Sequence, residues 1–317
     1  MIFASLRRAG VLGINRRNSR YTLRWNPRRF YPLVDDKLAT KRLCREAGIP
    51  VPGLLAVAPH HFQIRQLLPA LADHDSFVLK PVHGAMGNGI VVVTGRENGR
   101  LVRASGRSMS PEAFNYHAAG IISGLYALGG QPDMAMVEER LETHPLFDGL
   151  ATQGVPDVRV IVYRGVPVMA MTRLPTRASD GRANLHQGAL GVGIDLATGR
   201  TSFAIFRGRP ATKNPDSDRM VIGVDIPAFE RILDIAVRAA DRTHLGYVGA
   251  DVVIDAARGP VILELNARPG LAIQLANRSG LRPRLDFVDA TWQPNRSVED
   301  RVALGRDLAH RCQAARA

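Results

Sequence analysis

The sequence predicts an α+β protein of mixed α/β character, and three observations carry that expectation. Short apolar runs with strand-like alternation come in adjacent pairs, "DVRVIVY" with "VPVMAMTRLP" and "ADVVID" with "PVILELN". Stretches of helical periodicity stand between the pairs. The chain also lacks the strand, glycine turn and helix that open a dinucleotide-binding fold.

Taken in order, residues 1–34 read as a basic leader in which "RWNPRRFYP" looks extended. "DDKLATKRLCREAGIPVPG" is a helix. Asp35 or Asp36 caps it, Leu38, Leu43 and Ala47 form its apolar stripe, and Gly48 with Pro50 stops it. A connecting helix falls near residues 60–72, and "SFVLKP" is a strand stopped by Pro81. "HGAMGNG" is a glycine-rich loop, and "IVVV" is the next strand. Residues 96–133 look irregular and partly helical. "MAMVEERL" is a strand, residues 226–244 a helix on Ile226, Phe229, Ile232, Leu233 and Ala236, and "SVEDRVALGRDLAHRC" a closing helix.

Composition limits the function classes. The chain has 317 residues, 45% hydrophobic and 22% charged, which suits a soluble globular enzyme with ample core. Cys44 and Cys312 stand far apart with no CxxC or Cys/His cluster, which argues against a structural zinc or a disulfide framework and for a reducing cytoplasm. No apolar run approaches the ~20 residues of a membrane span, and the N-terminus lacks the order of a signal peptide. The 42 Lys and Arg against 29 Asp and Glu give +13, a balance that favours anionic partners. Arg7, Arg8, Arg16, Arg17, Arg20, Arg24, Arg28 and Arg29 crowd the leader. It reads either as a solvated arm packed on the main body or as a dock for an acidic partner or membrane surface.

The sharpest chemistry lies in "ADVVIDAARGPVILELNARPG". With Ala256–Gly259 as the turn, Asp255 pairs with Pro260 and Asp251 falls opposite Glu264, with Asn266 on the face of Glu264. Opposed acids on a sheet repel, so a positive group belongs between them. Two carboxylates and an amide are hard ligands that suit Mg²⁺; the plain alternative is a pair of exposed acids on an ordinary hairpin. Lys80 ends an apolar strand where an ammonium can reach phosphate oxygens. Gly84, Gly87 and Gly89 follow it and permit close backbone approach to phosphate. No GK[ST] is present, so the loop is a flap and not a P-loop. Asp157 and Arg159 share one strand face and most simply form an ion pair. Arg182 and Asn184 suit phosphate oxygens or an anionic intermediate, and Glu138 with Glu139 could hold an adenine amino group and ribose hydroxyls.

In this order, "DDKLATKRLCREAGIPVP", "VLKP" with its glycine loop, "VEERL", "DVRVIVY", "GRANLHQGA" and "ADVVID…ILELNARPG" resemble the ATP-grasp superfamily, most of all its α-L-glutamate ligases, over roughly residues 35–275. The resemblance implies two α+β subdomains gripping ATP between them, a lid at 35–140 and a second subdomain at 141–290, followed by a C-terminal helix at 291–317. It implies an ATP site of Lys37, Lys80, Glu138, Glu139, Arg140, Asp157, Arg182, Ala183 and Asn184 with the glycine loop. Asp251, Glu264 and Asn266 would then hold Mg²⁺ (or Mn²⁺). Arg159, Arg182 and Asn184 take the catalytic roles, and Arg159 with Arg268 contacts the substrate. The implied activity is a carboxylate–amine ligase working through an acylphosphate, with glutamate or a similar amino acid as the acid. A basic adaptor with a relict nucleotide fold and an ATP-grasp kinase are the alternatives. The usual N-terminal α/β domain has no counterpart in the 34-residue leader, which leaves room for an oligomer or partner protein in its place.

Overall fold

The computed structural model describes residues 5–314 apart from 7, 85, 86 and 153. Arg7 of the leader and Ala85 and Met86 of the glycine-rich loop therefore lie outside the described residues. The chain divides into two compact units, one of residues 36–38 and 52–142, the other of 1–35, 39–51 and 143–317.

The smaller unit is built on an antiparallel sheet of β1 (Leu54–Ala58), β2 (Phe77–Pro81), β3 (Val91–Glu97), β4 (Arg100–Arg103), β5 (Ser108–Met109) and β6 (Ala135–Glu139). Their order across the sheet is β1-β6-β2-β3-β4-β5. The stretch 96–133 is more regular than its sequence suggests, since it holds β4, β5 and the helix Pro111–Ile122. That helix has an ordinary start: Ser110 Oγ accepts from the Ala113 N–H at 3.2 Å, and Pro111 fills the first helical position. Phe114, Ala118 and Ile121 recur at helical spacing and are buried against β2 and β6. Phe114 meets Phe77 edge-on, with ring centres 5.9 Å apart.

The larger unit holds a second antiparallel sheet of β7 (Asp157–Tyr163), β8 (Val166–Leu174), β9 (Leu190–Ile194), β10 (Thr201–Phe206), β11 (Arg209–Ala211), β12 (Tyr247–Asp255) and β13 (Gly259–Asn266), ordered β11-β10-β9-β8-β7-β12-β13. Alternation decides what each face meets. Val158, Val160, Val162, Val248, Ala250 and Val252 face the helix Phe229–Arg242, whose Ile232, Leu233, Ile235 and Ala236 are buried. Ile161, Tyr163, Met169, Met171 and Tyr247 face the other way, onto Leu285 and Val288 of the helix Arg282–Thr291 and onto Leu12 and Tyr21. Among the described residues no helix is long and apolar enough to cross a membrane.

The stretch 24–32 is not extended as expected. Ile14–Trp25 is a continuous helical run with a wider π turn at Arg17–Thr22, and Arg28–Phe30 is a 3₁₀ turn. The prolines that suggested extension suit helix starts equally well, and Pro32 opens the turn Pro32–Asp35. The leader is bound into the sheet by Asn26. Its Nδ2 donates to the Tyr247 carbonyl at 2.7 Å and the Ala267 carbonyl at 2.8 Å, while its Oδ1 accepts from the Tyr247 N–H at 2.9 Å. The side chain thus acts as a short stretch of neighbouring strand. Asn26→Ala leaves three buried backbone groups without this partner at about 1–3 kcal/mol each, so thermal unfolding should show a midpoint lower by roughly 5–15 °C.

Candidate functional site

The hairpin of β12 and β13 sets Asp251 directly opposite Glu264, the predicted register, by a route the sequence does not reveal. The turn is Ala256–Arg258, so Asp255 faces Gly259 and not Pro260, and Gly259 adopts a left-handed φ of +74°. That shifts the pairing by one residue. A bulge between Asp251 and Val252 takes up Leu263 as the extra residue and restores it. Without the bulge Asp251 would face Leu263, and Glu264 would turn to the opposite side of the sheet.

Asp251 is fully buried, and the positive charge it requires comes from two arginines. Arg159 Nε and Nη2 donate to its Oδ1 and Oδ2 at 2.7 and 2.6 Å, and Arg173 Nη2 donates to Oδ2 at 2.7 Å. Arg173 also forms a two-pronged pair with Asp157, its Nε donating to Oδ1 at 2.6 Å and its Nη2 to Oδ2. Asp157 and Arg159, expected to pair with each other, pair across strands instead: Asp157 lies opposite Arg173, and Arg159 opposite Asp251. Directly opposed residues sit about 5 Å apart, whereas i and i+2 along a strand are about 6.6 Å apart. Burial raises the pKa of Asp251, but the Arg159 and Arg173 guanidiniums outweigh it and hold this carboxyl below its ordinary range. Burial also raises Asp157; Arg173 opposes the shift, the Asp251 charge adds to it, and the net direction is upward. Arg173 stays charged, because the two aspartates outweigh the burial that would lower its pKa.

Asn266 joins the acids on the hairpin. Its Nδ2 donates to Glu264 Oε1 at 3.2 Å and to Asp251 Oδ2 at 3.4 Å. Among the described residues no group of three His, Cys, Asp or Glu is placed to hold a metal ion, so a cation here would rely on two carboxylates and an amide. The donor set fits a hard divalent ion. Glu264 is half-buried where Asp251 is sealed.

In the smaller unit Lys80 and Glu138 form a buried ion pair, diagonal neighbours on β2 and β6. Lys37 Nζ donates to the carbonyls of Val82 at 3.1 Å and Gly84 at 2.6 Å, which fixes the entrance of the glycine-rich loop. At its far end Gly89, with φ +76°, lies under the ring of Tyr126; a Cβ there would come within 2.7 Å of a ring carbon. His117 Nε2 sits 2.9 Å from the Gly89 carbonyl. Gly87 also has positive φ, +74°. Glu139 is occupied with backbone, its Oε2 accepting from the Gly53 N–H at 2.9 Å, and Arg140 beside it is half-buried.

The remaining candidates sit in loops of the larger unit. Arg182, Ala183 and Asn184 are half-buried after β8, with Asn184 Oδ1 accepting from the His186 N–H at 3.0 Å. Arg268 is exposed after β13, its guanidinium 5.3 Å from the centre of the Tyr31 ring. Two participants escaped the sequence reading. Arg173 was visible only as a lone cation in an apolar run, because its partners depend on register. His83, at the loop entrance, places Nδ1 2.7 Å from Asp133 Oδ1, and its backbone N–H donates to the same carboxylate at 3.0 Å. A sequence separation of fifty residues gave no sign of that pair.

The profile of the family described as sugar-transfer associated ATP-grasp matches residues 16–290. Cyanophycin synthetase of Geminocystis herdmanii is 27% identical over 287 residues, 83% of this chain and 31% of its own length. The ribosomal protein bS6–L-glutamate ligase of Salmonella paratyphi B is 32% identical over 115 residues, 36% of this chain and 27% of its own length. The chain thus spans under a third of the length of these curated relatives. Among solved structures, D-alanine–D-alanine ligase from Bacillus anthracis aligns over 91% of this chain and 71% of its own, at 11% identity and a TM-score of 0.44.

The two acids of the hairpin should behave differently on substitution. Asp251→Asn leaves Arg159 and Arg173 short of a buried counter-charge and should cost about 3–5 kcal/mol. Glu264→Gln, half-buried and outside the arginine contacts, should cost under about 1 kcal/mol. Urea unfolding of both variants measures the contrast, and equal losses would overturn this division of roles.

Proposed function

The chain belongs to the sugar-transfer associated ATP-grasp family, and from that premise we propose that it is an ATP- and Mg²⁺-dependent carboxylate–amine ligase. It would join glutamate or a similar amino acid to an amine acceptor through an acylphosphate. The observation that carries the reading is the half-buried Glu264 beside Asn266 and Asp251, a hard-ligand set that is not wholly sealed from solvent. The bS6 relative is an L-glutamate ligase, which supports glutamate as the acid. We place the protein in the cytoplasm, where a buried free thiol such as Cys44 stays reduced.

In this reading Lys80 and the glycine-rich loop take the phosphates. Glu138 holds the Lys80 ammonium ready in a buried setting, and a phosphate offers it a second counter-charge. Lys37 and His117 anchor the two ends of the loop, so Gly87 and Gly89 can bring backbone N–H groups close to oxygen with little further ordering. Mg²⁺ held by Glu264, Asn266 and Asp251 would neutralise phosphate charge during transfer. Arg159 and Arg173 keep Asp251 ionised and oriented. That gives Arg159 a positioning role, and leaves Arg182 and Arg268 as the cations for an anionic substrate.

The test is ADP release with Mg-ATP and pools of amino acids, with product masses read from the same mixtures. A ligase gives amino-acid-dependent ADP and a new mass equal to acid plus amine less one water. A phosphorylated product would show a kinase, and salt-sensitive DNA binding that ignores Mg-ATP would show an adaptor. Glu264→Gln should lower kcat at least about 100-fold, as expected where transition-state charge loses its stabiliser, with the unfolding midpoint nearly unchanged. Excess EDTA should abolish turnover, and added Mg²⁺ should restore it.

A further inference from the structure

We propose that the outer face of the N-terminal helical run is a docking surface for an anionic lipid bilayer. Residues 1–34 contain eight arginines and no Lys, Asp or Glu, so they carry +8 of the net +13. The fold exposes part of this charge along the helical run. Within Ile14–Trp25 the inward positions Arg17, Tyr21 and Thr22 are buried, while Arg16, Ser19, Arg20, Leu23 and Arg24 are exposed. Arg16, Arg20 and Arg24 recur at i, i+4 and i+8.

Apolar side chains protrude from the same segment. Leu23 is 65% and Ile14 60% exposed, and Leu6 and Val11 are exposed as well. Four of the eleven large hydrophobics exposed among the described residues thus fall between residues 6 and 23, where the positive charge is densest. Exposed guanidiniums and exposed aliphatic side chains in one segment suit an interfacial surface, in which leucine enters the acyl boundary and arginine stays with phosphate. A nucleic acid would call for stacking aromatics or a groove-fitting helix, and protruding aliphatics would gain nothing there.

The inner side of the run is tied to the sheet. Arg17 Nη1 donates to the Pro269 carbonyl at 2.9 Å, Asn26 holds the far end, and Tyr21 packs 5.5 Å from Tyr163 and 6.3 Å from Tyr247, ring centre to ring centre. Docking therefore needs little further ordering of the chain. The acid nearest the inner face, Asp286, accepts from the Tyr21 hydroxyl at 3.5 Å and is bridged by Arg282 at 3.7 Å, so it is already paired.

Co-sedimentation with vesicles of 70:30 phosphatidylcholine:phosphatidylglycerol, without nucleotide, tests the surface independently of the ligase reading. The intact chain should sediment with these vesicles and not with pure phosphatidylcholine. The triple variant Arg16→Gln, Arg20→Gln, Arg24→Gln should bind roughly a hundredfold more weakly, from about 1 kcal/mol per arginine near an anionic surface. A charge-matched control, Arg107→Gln, Arg207→Gln, Arg209→Gln, should bind as the intact chain does. Ile14→Ser with Leu23→Ser should weaken binding at high salt, where only insertion remains. Failure to sediment, equal losses in both arginine triples, or indifference to the Ile14 and Leu23 changes would each overturn the proposal. A dimer in solution broken by the same triple would assign the face to a second copy instead.

Discussion

A chain of buried charges at the centre of the larger sheet constrains everything around it. Asp157, Arg173, Asp251 and Arg159 lie on three adjacent strands, each side chain at most 12% exposed. Charges removed from water are tolerable only in good geometry with their hydrogen-bonding capacity met, and here three strands must keep one register to meet it. A one-residue slip of β7, β8 or β12 would send its charged side chain to the opposite face, among the valines that cover the helix Phe229–Arg242. The network therefore works as a register lock. The bulge at Leu263 belongs to the same arrangement, because it returns Glu264 and Asn266 to the face where Asp251 stands.

The smaller unit solves a related problem on a smaller scale. Lys80 and Glu138 are buried in the middle strands of its sheet, and their attraction across β2 and β6 keeps a cation at the end of an apolar strand. The glycine-rich loop that follows is held at its entrance through Lys37 and at its exit through His117 and Tyr126. The described glycines of the loop, Gly87 and Gly89, both have positive φ. Each unit thus keeps charged groups inside an apolar frame by pairing them across strands, and leaves its more accessible polar groups at the strand ends and in loops.

The leader shows how one segment can have two faces with separate purposes. Its inner side substitutes for missing strand contacts, through Asn26 at Tyr247 and Ala267 and through Arg17 at Pro269. That removes it from the class of solvated tails, although its composition alone suits one. Its outer side exposes Arg16, Arg20 and Arg24. A buried arginine and exposed ones one and three residues away are indistinguishable in composition; only the packing of Tyr21 against Tyr163 and Tyr247 decides which is which.

By itself the sequence determined the α+β class, most of the strands and helices, and the glycine-rich loop. These follow from local regularities: alternation, helical spacing, and glycine and proline punctuation. Tertiary structure alone decided the partners of the charged residues. Arg173, not Arg159, holds Asp157; Glu139 bonds to Gly53; His83 turns to Asp133; and a bulge corrects a turn one residue shorter than expected. Each of these depends on which strand lies beside which and in what register, a matter settled by the burial of whole faces and the pairing of charges between segments far apart in the chain.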